Sequence, residues 1–517
     1  MTIAAAVFVM TFVVSLMLTR LTRRIALHVG FTDKPDKERK LHKSATALGG
    51  GVVLYFATVF ALLVLLIAPN AWQAELLSSW LELLAFFLAG ALIVAVGLLD
   101  DRYKLRGVHK LVGQILAALV LVACGLTIKR VELFGCQVEL GALSGLLTVV
   151  WLLGAINAIN LLDGIDGLAS TIGLVLTGAI AVMAALFGNW PVSLVAMMFA
   201  ASLLGFLRYN FPPATIFLGD AGSMLIGLAV GTLAIQGSLK GAGTVLLAAP
   251  LAFWTIPFFD SAAAILRRKL TGRSIYDTDR AHLHHCLMRR FGSNRKVVGW
   301  VAGACCFTAA AALVSVVLQA DSIALICCVA VIVIFVATRL FGHVEYSLIL
   351  GRLREIGHAY SHWPFGHPTH ARHNTVRLQG HRRWELLWES LTEEAERLGL
   401  LRVRLILNLT VLEEGFHATW QRKAATGSAQ RWHVELPLFA AGQSVGRLFV
   451  VGQPGSRGAF RELELILAVL APLEDILNEI AGDAQGYSTA TVTLVNPPAP
   501  FSLETVVITD EVPVSSA

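Results

Sequence analysis

Two aspartates stand side by side in L-L-D-D-R-Y-K-L-R, giving Asp100 and Asp101 with Lys104 close behind. A second cluster, N-A-I-N-L-L-D-G-I-D-G-L-A-S, holds Asn157, Asn160, Asp163 and Asp166 between apolar runs. A third, Y-N-F-P-P-A-T-I-F-L-G-D-A-G-S, holds Asn210, Phe217 and Asp220. A fourth, D-R-A-H-L-H-H, brings Asp279, Arg280, His282, His284 and His285. Carboxylate and amide oxygens are ligands for hard divalent cations such as magnesium, which keep water and substrate phosphates as further ligands. Gly164, Gly167, Gly219 and Gly222 let backbone N–H groups at helix starts approach a phosphate. Arginine and histidine neutralise more phosphate charge. Together these residue types describe phosphoryl transfer, in which catalysis is mainly positioning plus charge stabilisation.

Taken singly, each cluster has an ordinary reading. Asp100-Asp101 is also what a solvated helix end looks like, and D-G-I-D-G what a turn before a helix looks like. H-L-H-H could be read as zinc ligands, but no cysteine or acid stands at the usual spacing. What lowers the ordinary readings is that all four clusters fall on one side of a membrane.

The elements that must position them are apolar. Of 517 residues, 56% are hydrophobic and only 15% charged, against about a quarter charged in soluble domains. The composition predicts an all-α polytopic membrane protein. About eleven transmembrane helices are expected, centred on 3–19, 50–68, 82–99, 111–127, 142–159, 168–187, 191–207, 216–235, 244–266, 298–318 and 322–340. The first reads as a retained span, since no basic segment precedes it. Lys and Arg fall 22 in one alternating set of loops and 3 in the other. That split puts the rich set in the cytoplasm, the N-terminus outside and the chain beyond residue 341 in the cytosol. All four clusters then share the cytosolic face. The seven cysteines show no metal-ligand spacing; Cys305-Cys306 and Cys327-Cys328 read as apolar filling, and a Cys124–Cys136 disulfide is the weaker reading of that pair.

With these residues in view, the chain over residues 1–341 resembles the polyprenyl-phosphate N-acetylhexosamine-1-phosphate transferases, glycosyltransferase family 4. The elements run in family order: D-K-P-D-K-E-R-K-L-H then G-G-G; G-L-L-D-D-R-Y-K; N-A-I-N-L-L-D-G-I-D-G-L-A; N-F-P-P-A-T-I-F-L-G-D-A-G-S; and D-R-A-H-L-H-H. One departure is S-A-T-A-L-G-G-G, where the family places a proline before the glycines.

The resemblance implies a bacterial inner-membrane enzyme. It would take a UDP-N-acetylhexosamine and undecaprenyl-type phosphate within the membrane lipid, release UMP and begin an envelope polysaccharide. Magnesium is the implied cofactor, with manganese as the alternative. Carried over residue by residue, Asp220 and Asn160 resemble the metal ligands. Asp100 and Asp101, with Lys104, resemble the catalytic group that orients or deprotonates the lipid phosphate. Asp163, Asp166, Asn210 and Phe217 resemble the nucleotide pocket. His42, Arg273, Arg280, His282, His284 and His285 resemble the diphosphate and sugar grip. The spaced H-L-H-H resembles the N-acetylglucosamine-1-phosphate branch, making UDP-N-acetylglucosamine the first choice of donor and other UDP-N-acetylated sugars the second. A homodimer is allowed, and no nucleic acid is expected.

The chain continues past the membrane segments. Residues 342–381 read as a linker and 382–482 as a small cytosolic α+β domain of GAF-like shape. R-R-W-E-L-L-W-E-S-L-T-E-E-A-E-R-L is helical in spacing, V-R-L-I-L-N-L alternates like a strand, and W-H-V-E-L-P-L-F with S-V-G-R-L-F-V-V reads as a hairpin. The stretch F-R-E-L-E-L-I-L returns to helical spacing, and 483–517 reads as a disordered tail. Docking a cytosolic partner or plain stabilisation are the two readings of this part. Rival readings of the whole are an ion-coupled transporter, which predicts acids near mid-span, and an inactive scaffold, which predicts missing acids.

Overall fold

The computed structural model describes residues 2–33, 45–238, 244–271, 282–347, 349–350, 353, 372–379, 384–409, 414–422, 432–440 and 443–453. The chain divides into two compact units, one of Met1–Arg268 with Ser274–His343 and one of Lys269–Arg273 with Val344–Ala517.

In the first unit, α1 (Thr2–Val29), β1 (Thr32–Asp33) and β2 (Thr46–Leu48) lead to α2 (Gly50–Ile67), α3 (Gln73–Ser78), α4 (Trp80–Tyr103) and α5 (Gly107–Ala123). A hairpin, β3 (Arg130–Leu133) and β4 (Cys136–Glu139), precedes α6 (Ser144–Leu162), α7 (Leu168–Leu186) and α8 (Trp190–Asn210). Then come β5 (Ile216–Phe217), α9 (Gly219–Gly237), β6 (Thr244–Leu246), α10 (Ala248–Phe253) and α11 (Thr255–Thr271). The unit closes with α12 (Leu283–Phe291), α13 (Asn294–Leu318) and α14 (Asp321–Ala337).

Helix α9 is the hub. Its sequence A-G-S-M-L-I-G-L-A-V-G-T-L-A is poor in bulk, and small residues let helices approach closely where lipid supplies no hydrophobic drive. Every residue from Ala221 to Gly237 is buried, with α2, α4, α6, α7 and α8 packed around it. The closest approach is at Gly97 of α4, where an added Cβ would overlap the Ala221 backbone. Gly97 lies one helical turn before Asp101, so this contact decides how near the Asp100-Asp101 pair comes to α9. The expected result of Gly97→Ala is separation of the two helices, at about 1–3 kcal/mol. A lower unfolding midpoint in detergent would report it. Gly299→Ala, with nothing within 4 Å of the new Cβ, is the control and should leave the midpoint unchanged.

Eight helices are long and apolar enough to cross a membrane: Ile3–Val29, Gly50–Ile67, Trp80–Tyr103, Gly141–Leu162, Leu168–Leu186, Trp190–Asn210, Gly219–Gly237 and Asn294–Leu318. The eleven expected spans are thus reduced among the described residues. Helices α5 and α14 are apolar but shorter, at 17 residues each. The expected span 244–266 is broken into β6, α10 and α11 at Trp254. Pro257 explains the break: it has no N–H to return to Phe253, yet it suits the first turn of a new helix.

Polar connections gather at two ends of the helices. At one, β3 pairs with β4 and, in parallel, with β6, the Phe134 N–H donates to Asp321 Oδ2 at 2.6 Å, and Asn189 Nδ2 donates to the Gln236 carbonyl. These are loops of the Lys/Arg-poor set. At the other, β2 pairs antiparallel with β1 and parallel with β5, with Ala47 opposite Ile216 and Leu48 opposite Phe217. The cysteines are free, Cys124 and Cys136 included.

The second unit is a five-stranded antiparallel sheet in the order β10-β11-β8-β9-β7. Its strands are β7 (Arg372–Gln379), β8 (Arg402–Leu409), β9 (Glu414–Gln421), β10 (Trp432–Ala440) and β11 (Gln443–Gly452), with α15 (Trp384–Arg397) between the first two. Trp384, Trp388, Leu391 and Ala395 of α15 share an apolar core with Val403, Leu405, Phe416, Trp420, Val434 and Leu448. The helix, the strand and the hairpin expected here are present. One boundary moves: β7 lies inside the expected linker 342–381, because R-H-N-T-V-R-L-Q alternates within a stretch rich in polar residues. The helical stretch expected after residue 459 and the tail 483–517 lie outside the described residues.

Candidate active site

Asp100 sits on the last turn of α4 and is buried. Its Oδ1 accepts the Leu105 N–H at 2.8 Å, which folds the chain back after the left-handed Lys104 (φ 52°). Its Oδ2 lies 3.0 Å from Lys110 Nζ, and the same ammonium lies 3.0 Å from Asp220 Oδ2. Asp220 is in the first turn of α9. Its Oδ1 accepts from Asn160 Nδ2 at 2.6 Å, and Asn160 Nδ2 also donates to Ser223 Oγ at 2.8 Å. Residues from α4, α5, α6 and α9 therefore converge on one cluster.

Asp101 takes a different part. Its Oδ1 accepts the Asp220 N–H at 2.9 Å and its Oδ2 the Ala221 N–H at 3.4 Å. A helix N-terminus leaves its first amides unpaired, and here the cap comes from another helix. Both oxygens of Asp101 are spent on the start of α9, fixing Asp220 relative to Asp100.

The D-G-I-D-G turn between α6 and α7 lies against the same cluster. Burial first, then the carboxylates of Asp220, Asp101 and Asp166, hold the Asp163 carboxyl well above the usual carboxylate range. Asp166 Oδ2 accepts the Ala214 N–H at 2.9 Å. Asn210 is buried, with Oδ1 accepting from Ser170 Oγ at 2.8 Å and Nδ2 donating to the Ile216 carbonyl at 3.0 Å. It fixes the loop that carries Phe217, which is partly buried on β5.

The histidines meet this turn from the other side. The His284 ring packs on Gly164 so closely that a Cβ there would overlap it. Burial first, then His285 and His282, hold the His284 imidazole well below its usual range. His282 and His284 are parallel, with centroids 6.0 Å apart, and His284 and His285 lie 4.2 Å apart. His282 Nδ1 stands 2.9 Å from Asp260 Oδ2.

The structure thus brings together Asp100, Asp101, Asn160, Asp163 and Asp220, and seats His284 on the same turn. Lys104 is exposed, and the ammonium that bridges the carboxylates is that of Lys110. His42, Arg273 and Arg280 lie outside the described residues. Lys110, Ser223 and Asp260 were not singled out from sequence. An acid inside an apolar segment was the available signal for Asp260; Lys110 carried none beyond its place in a basic loop.

Among the described residues no group of three or more His, Cys, Asp and Glu is arranged to cage a metal. Magnesium seldom uses such a cage; one or two carboxylates with substrate phosphates and water suffice. The residues fit that demand. Asp220 Oδ2 already touches a cation, the Lys110 ammonium, at 3.0 Å, and its Oδ1 lies 2.6 Å from the Asn160 amide.

The family model described as glycosyl transferase family 4 matches residues 83–238. A Bacillus subtilis (strain 168) protein named "Probable undecaprenyl-phosphate N-acetylglucosaminyl 1-phosphate transferase" is 33% identical over 292 residues, covering 56% of this chain and 78% of the relative. The chain belongs to glycosyl transferase family 4. Two further family 4 relatives carry similar names. A decaprenyl-phosphate N-acetylglucosaminephosphotransferase of Mycolicibacterium smegmatis is 35% identical over 301 residues, covering 53% of this chain and 73% of its own length. An undecaprenyl-phosphate alpha-N-acetylglucosaminyl 1-phosphate transferase of Yersinia pestis is 29% identical over 293 residues, covering 55% and 77%. The family 4 match spans the four-helix cluster and Phe217, and ends before the histidines.

Proposed function

We propose that this protein transfers N-acetylglucosamine-1-phosphate from UDP-N-acetylglucosamine to a polyprenyl phosphate, releasing UMP. The observation that carries the reading is the Asp100–Lys110–Asp220–Asn160 cluster in a family 4 chain whose relatives bear that transferase name. An oxygen of the lipid phosphate attacks the sugar-bound phosphorus. The bond to the UMP oxygen breaks, and UMP leaves with the electron pair. A phosphate monoester is largely ionised at neutral pH, so its placement matters more than removal of its proton.

In this reading Asp220, with Asn160 beside it, would hold magnesium, and Asp100 would orient the lipid phosphate. A bound magnesium ion supplies charge neutralisation on the diphosphate. Lys110 offsets part of the charge of the two acids and would meet phosphate oxygens there. Asp101 keeps Asp220 in register. Phe217 offers a face for the uracil, Asn210 holds its loop, and the histidines face the diphosphate and sugar. The active face is assigned to the cytosol of a bacterial inner membrane because the Lys/Arg-rich loops share it.

The test is a membrane assay with a panel of radiolabelled UDP-sugars and short polyprenyl phosphates, with and without magnesium. Labelled lipid from UDP-N-acetylglucosamine, dependent on magnesium, is expected. Product from another UDP-sugar alone would replace the donor, and no product from any would overturn the reading. Phe217→Ala should raise the KM for the UDP-sugar about tenfold, a typical loss for one stacked base, with kcat kept; an unchanged KM would remove Phe217 from the nucleotide site.

A further inference from the structure

Asp260 is an acid that the proposed chemistry leaves unused. It lies on α11 with no solvent exposure, and a carboxylate at that depth is costly unless both oxygens are engaged. They are. Oδ1 accepts the Leu283 N–H at 2.6 Å and Oδ2 faces His282 Nδ1 at 2.9 Å. The first bond caps α12, whose flanking residue is His282 itself. The second fixes the imidazole, because a carboxylate only accepts, so Nδ1 must carry the proton and Nε2 is the atom left to act.

The consequence runs along H-L-H-H. His282 lies parallel to His284, whose ring seats on Gly164 between Asp163 and Ile165. One buried carboxylate therefore sets the start of α12, the proton placement of His282 and the seating of the histidines on the acidic turn. We propose that Asp260 is a positioning residue for the sugar-phosphate transfer, acting by holding His282 with Nε2 toward the donor's diphosphate and sugar. This rests on the reading of the site as a UDP-sugar transferase.

Asparagine separates this role from a purely structural one. In Asp260→Asn, Oδ1 still accepts from Leu283 and caps α12, but Nδ2 faces His282 Nδ1 and forces the opposite proton placement. The experiment uses the full chain in lipid nanodiscs, as wild type, Asp260→Asn, Asp260→Ala, His282→Ala and Asp260→Asn/His282→Ala. Unfolding midpoints are measured beside kcat and KM. Asp260→Asn is expected to keep the wild-type midpoint and lose about 10- to 100-fold in kcat/KM, the usual penalty for removing a histidine's orienting partner. Asp260→Ala should also lower the midpoint. In the His282→Ala background the asparagine should cost nothing further. Wild-type kcat/KM in Asp260→Asn, or losses that multiply in the double variant, would overturn the proposal. The cycle is run with whichever UDP-sugar the wild-type protein uses. Failure on UDP-N-acetylglucosamine alone therefore strikes the donor assignment, whereas additivity strikes Asp260.

Discussion

Alanine at Asp220 is expected to stop transfer while leaving the protein folded. The side chain is the meeting point of Lys110 Nζ at 3.0 Å and Asn160 Nδ2 at 2.6 Å, so its loss dismantles the cluster. The fold has little stake in it. The Asp220 N–H that Asp101 accepts belongs to the backbone and survives in alanine, and α9 from Ala221 to Gly237 is buried without it. Removing one preorganised charge at a site of developing charge costs about 10² to 10³ in kcat, and the proposed role in holding magnesium would add to it, so a fall of at least about 10³ is expected. UMP release at saturating substrates and magnesium is the measurement. Asp220→Asn keeps the shape but not the charge and should be nearly as inactive. Normal turnover in either variant would remove Asp220 from the chemistry.

Asp101 should behave differently from its neighbour, although the two are adjacent in sequence. Alanine there uncaps α9, losing the acceptors at 2.9 and 3.4 Å. Loss of a helix cap costs about 1–2 kcal/mol, and a carboxylate at a helix N-terminus contributes about 0.3–1 kcal/mol through the dipole. Asp101→Ala is therefore expected to lower the unfolding midpoint and to reduce kcat about 10²-fold, through displacement of Asp220. Asparagine retains an acceptor for the Asp220 N–H, so Asp101→Asn should recover most of the midpoint and about tenfold of the rate. At Asp100, whose partner is the Lys110 ammonium, asparagine should give no such recovery. If Asp101→Asn were stable yet as inactive as alanine, Asp101 would belong to proton transfer and not to helix capping.

The acids and amides of the site were legible because charge at membrane depth is expensive and seldom accidental. Their convergence was legible only through loop charge, which places residues on a face without giving distances. What the sequence concealed was partnership. Asp100 and Asp101 are chemically identical, and only the turn of α4 and the approach allowed by Gly97 send one to Lys110 and the other to the start of α9. Lys110 looked like one more basic residue in a basic loop. Asp260 stood inside an expected span, and although Pro257 marked the break before it, the pairing of α11 with the histidines is a tertiary event. Hydropathy likewise cannot tell a helix just long enough to span from one of 17 residues such as α5.

Lys110 also governs what a negatively charged visitor meets. Two acids this close repel each other when both are ionised, and one ammonium 3.0 Å from each offsets that repulsion. Repulsion of an arriving anion is lowered by the same ammonium. The chain offsets part of its own acid charge before any substrate arrives.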